Sequence, residues 1–237
     1  MPQVKNKEAL IRAFQATKKK LDAADIPTML LRQDQTFFRS FDPTSRFSPL
    51  LKPQKGQSIP VGLARALLTP SDGIREGNNR FSGPAQGVPA SGGLYCGVQQ
   101  QALVNESVHY NRRVAPWAFT GKCVLKIRLT QLITVAELSP HNPSSLRFLR
   151  ELGAGTWDDM TDQHDCSVAR GIGLAIAQCS YLSGLIYQTV RVSERSDEER
   201  GDNIVFFAPQ GRGFEFLTVE KASYYGKTYE PEVFPVI

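Results

Sequence analysis

The chain has 237 residues and a formal charge of +5, from 28 basic residues against 23 acidic ones. With 41% hydrophobic and 22% charged residues it is long enough and apolar enough for one sizeable core, which excludes wholesale disorder. No apolar run reaches the roughly 20 residues that span a bilayer; the longest, 168–185, is broken by Arg170, Gln178, Ser180 and Ser183.

The polar start, MPQVKNKEAL, carries no apolar stretch of the secretory kind. Cys96, Cys123, Cys166 and Cys179 are far apart and form no CxxC. The expectation is a cytoplasmic protein with reduced thiols. A mild positive charge suits an anionic ligand or an acidic partner and is weak support for nucleic acid.

In chain order, residues 4–24 read as a helix, with Leu10, Ile11, Phe14 and Leu21 at helical spacing and Pro27 beyond the end. Lys18, Lys19 and Lys20 read as its solvated face, because no aromatic residues interleave with them. TMLLR at 28–32 reads as a short buried strand. Residues 33–93 read as a long Pro/Gly/Ser/Gln-rich loop with one short helix over 60–68. GLYCG at 93–97 predicts a strand, and 99–110 a helix carrying Glu106. In KCVLKIRL at 122–129, Cys123, Leu125, Ile127 and Leu129 face one way with Lys122, Lys126 and Arg128 opposite, which predicts a half-buried strand.

Further strands are expected at 134–138, 185–190, 203–208 and 214–220, and helices at 146–152 and 167–182. Asp165 or Ser167 is the expected cap of the second of these helices. The charged stretch 193–202 reads as a loop, and the tail after Tyr224 has no assignment. Strands and helices mix without βαβ regularity, so the fold class is α+β: a mixed β-sheet core with flanking helices. Residues 1–27 are expected to form a helical extension and 28–237 a single domain.

Several motifs fail on inspection. Gly171 and Gly173 do not open a dinucleotide fingerprint, because Ile176 stands where a third small residue belongs; helix packing is the better reading. His164 and Cys166 lack a second pair at metal-ligand spacing. No GxSxG or P-loop is present.

Three segments do combine functional groups with a Gly/Pro-rich setting. They are Asn78-Asn79-Arg80-Phe81-Ser82-Gly83-Pro84, Gly93-Leu94-Tyr95-Cys96-Gly97 with Glu106 after it, and Gly184 to Arg191 followed by Asn203. Singly, each has a bland reading: a loop arginine, a core tyrosine, a solvated glutamate, a strand threonine.

Their order resembles the RES-domain family, whose members carry segments like RFNPPG, LYLA, ALAE and GIxYxS. Here the matching stretches are NRFSGPAQG, GLYCG, ALVNE and GLIYQT, within roughly residues 28–210. The chain departs from the pattern in having Thr189 for the serine and Ser82-Gly83-Pro84 in the loop. Arg46 of SRFSP is an alternative for the RF arginine, and Arg32 falls where the family has an earlier strand arginine.

The resemblance implies a RES fold similar to that of ADP-ribosylating toxins, and a bacterial toxin that degrades NAD⁺ by breaking the nicotinamide–ribose bond as a glycohydrolase or phosphorylase. The alternatives are ADP-ribosyl transfer to a protein or nucleic acid, and a binding module without turnover. The resemblance implies Glu106, Arg80, Tyr95 and Thr189 as catalytic residues, and Arg32, Asn79, Tyr187 and Arg191 as NAD⁺-binding residues. NAD⁺ is then the substrate, with no further cofactor and no metal. The implied protein partner is a cognate antitoxin or immunity protein; any DNA binding belongs to that partner. Homodimers have precedent in the family, and no membrane association is implied. The site of action is the cytoplasm, whether of the producing cell or of a cell into which the protein is delivered.

Overall fold

The computed structural model describes residues 4–41, 64, 68, 80–83, 87–100, 121–152, 160, 165–188, 202–207, 214–225 and 232–235. Among them, helices α1 (Lys7–Asp22), α2 (Pro143–Glu151) and α3 (Ser167–Ala177) accompany nine strands. The strands are β1 (Thr28–Leu31), β2 (Thr36–Phe41), β3 (Gly93–Gly97), β4 (Lys122–Leu129), β5 (Ile133–Leu138), β6 (Gly184–Gln188), β7 (Asp202–Phe207), β8 (Leu217–Tyr225) and β9 (Glu232–Pro235). No described helix is long and apolar enough to cross a membrane.

The strands form one mixed sheet in the order β1-β5-β6-β7-β3-β2-β4-β8-β9. Only β5 and β6 run parallel. A parallel pair cannot be closed by a tight turn, and the connection between these two carries α2 and α3. The fold is therefore α+β, as the irregular alternation of elements predicts.

Strand alternation sends side chains to two separate cores. On the helical face, Ala136, Leu138, Leu185, Tyr187, Val205 and Phe207 meet Ala13, Leu21, Phe148, Leu149, Ile172 and Ile176 from the helices. On the opposite face, Leu94, Cys96, Leu125, Ile127, Ile186, Ile204 and Phe206 form a second cluster with Ala64 and Leu68. The inward face expected in β4 holds, with Cys123, Leu125, Ile127 and Leu129 all fully buried, but Val124 between the first two is buried as well. The four cysteines are free thiols, three of them buried.

Helix α1 buries Leu10, Ala13, Thr17 and Leu21 and packs mainly on α3. The glycines of α3 explain how close the helices come. A methyl group on Gly171 would lie 2.9 Å from Ala13 Cβ and would overlap the Leu10 carbonyl oxygen. Gly171 and Gly173 are thus packing residues, as their sequence context suggested.

Several boundaries and two roles differ from expectation. Strand β1, expected to be buried, exposes Thr28, Met29 and Leu30 and buries only Leu31, because it lies at the edge of the sheet. Residues 36–41, assigned to a long loop, form β2, which pairs with β4 along its whole length and joins the two halves of the sheet. Its TFFRSF run alternates imperfectly, so it resembled punctuation more than a strand. Helix α2 starts three residues before the expected Leu146, because Asn142 caps it and Pro143 occupies its first turn. Helix α3 ends at Ala177, five residues early, and β8 starts at Leu217 and runs to Tyr225. Strand β9 lies in the tail that had no assignment. Lys20 is not simply solvated. It bridges Asp25, at 2.7 Å, and Glu151, and so ties the end of α1 to α2. The expected helix over 99–110 and the charged loop before Asp202 lie outside the described residues, apart from the first two residues of the former.

Candidate functional site

The site is assembled where three sequence segments meet on the helical face of the sheet. Tyr95 stands in the middle of β3, with its Cα opposite Val205 of β7. Val205 is in turn opposite Leu185 of β6, so Tyr95 and Tyr187 point to the same face. Phe81 fills the space between them. Its ring lies 4.6 Å from the Tyr187 ring at 54°, and its backbone N–H donates to the Tyr95 hydroxyl at 2.8 Å.

Ser82, fully buried, places its Oγ 3.2 Å from the same hydroxyl. Gly83 continues the segment into a bridge with Ser91, Gly83 N donating to the Ser91 carbonyl at 2.7 Å. The positive φ of Gly83, 121°, is open to glycine and rare for other residues. Gly93 is required for a different reason: a Cβ there would stand 2.7 Å from Val205 Cγ2 and 3.0 Å from Ser82 Oγ. The RFSG segment therefore lies directly on β3, and glycine at 93 makes room for it.

Arg80 reaches the other way and donates from Nη1 to the Met160 carbonyl at 2.6 Å. This fixes the guanidinium beside α3. There, Arg170 is 2% exposed and Cys166 is fully buried. Burial pushes the Cys166 thiol up, while the positive charges of Arg170 and Arg80 pull it down; Asp165 adds to the rise. The Asp165 carboxylate caps α3, accepting from Ser167 N–H at 2.9 Å, from the Ser167 hydroxyl, and from Lys5 N–H at 3.2 Å. Cys166 occupies the N-cap position without a side-chain bond, so the cap is the expected Asp165 acting from one residue further out.

Tyr95 is a neutral hydrogen-bonding group at physiological pH. Burial pushes its phenol up to about 12, against the opposing hydrogen bonds of Ser82 and Phe81 and the Arg170 charge. The hydroxyl accepts from Phe81 N–H and shares a second hydrogen bond with Ser82 Oγ. Tyr95→Phe leaves the Phe81 N–H without its acceptor, at a cost of about 1–3 kcal/mol near neutral pH. The pH profile gives a separate check. In the wild type the unfolded phenol ionises from pH 10 while the folded one stays protonated to about 12. Stability present below pH 10 is then lost as pH rises, by roughly 2 kcal/mol at pH 12. Urea denaturation should show this alkaline loss in the wild type and a smaller one in Tyr95→Phe.

Of the other sequence-predicted residues, Arg32 is not brought to this place. It follows β1, an edge strand four positions from β3 in the sheet, or about 19 Å at the usual strand spacing. Asn79, Glu106, Thr189 and Arg191, and the alternative Arg46, lie outside the described residues. Gln188, directly before Thr189, closes β6 and is buried.

The structure also adds residues that the sequence left in the background. Asn203, 3% exposed, is the Cα partner of both Tyr187 and Gly97 and shares the Tyr95 face. Ser82 and Arg170 join it. Ser82 was visible inside the RF segment, but nothing marked its hydroxyl. Arg170 had a signal, as the single charge in the apolar run of α3. Asp202, next to Asn203, has its carboxyl raised by burial and by the Glu137 charge, with His141 opposing. Its ionised form is disfavoured in the fold, so it costs stability as pH rises through its raised pKa.

Comparison with protein-family models, with curated proteins and with solved structures finds no match to this chain.

Proposed function

We propose that this protein consumes NAD⁺ by cleaving the bond between nicotinamide and ribose, and that its fold is of the RES, ADP-ribosyltransferase-like kind. One observation supports the reading: the RF segment contacts both of the other two, more than a hundred residues apart at their extremes, with Phe81 N–H and Ser82 on the Tyr95 hydroxyl of the GLY strand and the Phe81 ring on Tyr187 of the GLIYQ strand. The order of the motifs alone does not require such a meeting.

The chemistry suits these groups. As nicotinamide departs, the ribose C1″ acquires oxocarbenium character, and the electron pair of the broken bond leaves with the ring nitrogen as neutral nicotinamide. A carboxylate beside the ribose lowers the energy of that cation; Glu106 takes this role. Water or phosphate then forms the new bond at C1″. Water yields ADP-ribose and a proton; phosphate yields a phosphorylated ADP-ribose.

Arg80 supplies a guanidinium for the diphosphate. Tyr95 donates its proton to a ribose hydroxyl or the carboxamide, and Thr189 serves the same end from the strand beside it. In a cell this activity depletes NAD⁺ in the cytoplasm and stops growth. A cognate antitoxin or immunity protein holds it in check.

The direct test is nicotinamide release from NAD⁺ by the purified protein, in phosphate and in phosphate-free buffer. Release is expected in at least one buffer, and phosphate dependence identifies the acceptor. Absence of release in both buffers, together with normal NAD⁺ levels in cells expressing the protein, refutes the reading.

A further inference from the structure

The free edge of the sheet at β1 carries an inference that does not depend on the NAD⁺ reading. The open sheet ends in β1 on one side and β9 on the other. Edge strands present unpaired main-chain groups, and proteins commonly blunt them with charge or proline. Both edges here are four residues long. Strand β9, EVFP, carries a glutamate and a proline. Strand β1, TMLL, carries neither, and Thr28, Met29 and Leu30 are all exposed. Leu132, just before β5, extends the apolar patch. The register sets Leu30 opposite Thr134, so Leu132, two residues away, shares the Leu30 face. Leu30 is 61% and Leu132 60% exposed, and with Met29 they are three of the five large apolar side chains exposed among the described residues.

The inner side of β1 fixes which main-chain groups point out. Glu137 N–H donates to the Pro27 carbonyl at 2.8 Å, so Pro27 turns toward β5. Direction alternates along an antiparallel strand. Met29 and Leu31 therefore also face β5, while Thr28 and Leu30 direct N–H and C=O outward. A second copy of the same strand, running antiparallel, fits this edge. With Met29 of one copy opposite Met29 of the other, Thr28 of each stands opposite Leu30 of the other. Each of those pairs exchanges both main-chain hydrogen bonds. Leu31 then falls opposite Pro27, at a position where the ladder asks for no N–H from the proline. Residues 27–31 carry no charge, so like-with-like pairing brings no repulsion. Any other strand would have to supply this match, whereas a second copy contains it by symmetry.

We propose that β1 is the contact between two copies of this chain, which join their sheets into one across a two-fold axis at Met29. The joint satisfies the outward main-chain groups of Thr28 and Leu30 and covers the Met29 and Leu30 side chains, with Leu132 at its margin.

The test uses the full chain. Sedimentation equilibrium at micromolar concentrations should give the mass of a dimer, and a monomer throughout overturns the proposal. Met29→Lys sets two like charges directly opposite each other at the axis and should raise the dissociation constant about tenfold or more. A dimer of unchanged affinity in that variant places the contact elsewhere and also overturns the proposal. Cysteine substitution reads the register. Opposed Met29 positions bring their Cα atoms to about 4.5 Å, within reach of a disulfide, whereas the two Leu30 positions are diagonal neighbours more than about 7 Å apart. Under mild oxidation Met29→Cys should run as a covalent dimer on a non-reducing gel and Leu30→Cys as a monomer, with the wild type and its free cysteines as the blank. Equal crosslinking of both variants, or of neither, counts against the proposal. If Met29→Lys fails to fold, the two cysteine variants decide.

Discussion

Glu106→Ala is expected to lower the rate of nicotinamide release by a factor on the order of 100–10,000, with KM for NAD⁺ changed far less. The split follows from the chemistry. On the proposed reading, ground-state NAD⁺ is held through its diphosphate and carboxamide, whereas positive charge on the ribose grows only as nicotinamide leaves. A carboxylate that opposes that charge acts more strongly on the transition state than on the bound substrate. Steady-state kinetics on the purified variant would measure both parameters. A variant with wild-type kcat assigns the carboxylate role to another residue. In cells, the same substitution should restore both NAD⁺ levels and growth.

Gly173→Ala is expected to destabilise the protein by about 2–4 kcal/mol, although alanine favours a helix over glycine by about 1 kcal/mol. The added methyl meets backbone on one side, the Phe81 carbonyl, and helix on the other, so neither can yield cheaply. Calorimetry should show a melting temperature lower by roughly 5–15 °C. The damage reaches the site as well. Moving Phe81 off α3 pulls its N–H from the Tyr95 hydroxyl and its ring from Tyr187, so activity should fall even at temperatures where the variant is folded. Gly171→Ala is the matched comparison. It crowds Leu10 and Ala13 of α1 instead, so it should lower the melting temperature and leave the activity of the folded protein largely intact. Similar activity losses in both variants would mean that α1 and the Phe81 segment do not respond independently to crowding on α3.

Periodicity made much of the framework legible. The helical spacing of Leu10 and Leu21 in α1 and the alternation of Cys123, Leu125, Ile127 and Leu129 in β4 marked positions that the fold buries, because one face of a helix or strand must meet a core, although Ile11 and Phe14 are only half-buried and Val124 is buried as well. The GLY and GLIYQ strands were visible for a different reason, as short apolar runs beginning at glycine, and both are buried along nearly their whole length. Strand β2 escaped because half-buried Phe38 and Arg39 interrupt its alternation, and because it lies between β3 and β4, distant from β3 in sequence. The late start of β8 has a similar cause: Phe214 and Phe216 are buried in a turn, where apolar character no longer signals a strand.

For the candidate site the division is sharper. The resemblance of their segments to the RES family named Arg80, Tyr95 and Tyr187; taken singly, each had a bland reading. It also named Arg32, which the sheet order carries to the far edge, since proximity in a sheet depends on pairing that no local pattern encodes. Only the tertiary structure decided that Phe81 would bridge the two tyrosines, that Ser82 would share the Tyr95 hydroxyl, and that Arg170 would lie beneath them. Those relations depend on glycines at 93 and 173 that permit backbone to approach to within a side chain's width. A missing side chain leaves no periodic trace. Its meaning appears only when the surface that fills the gap is in place.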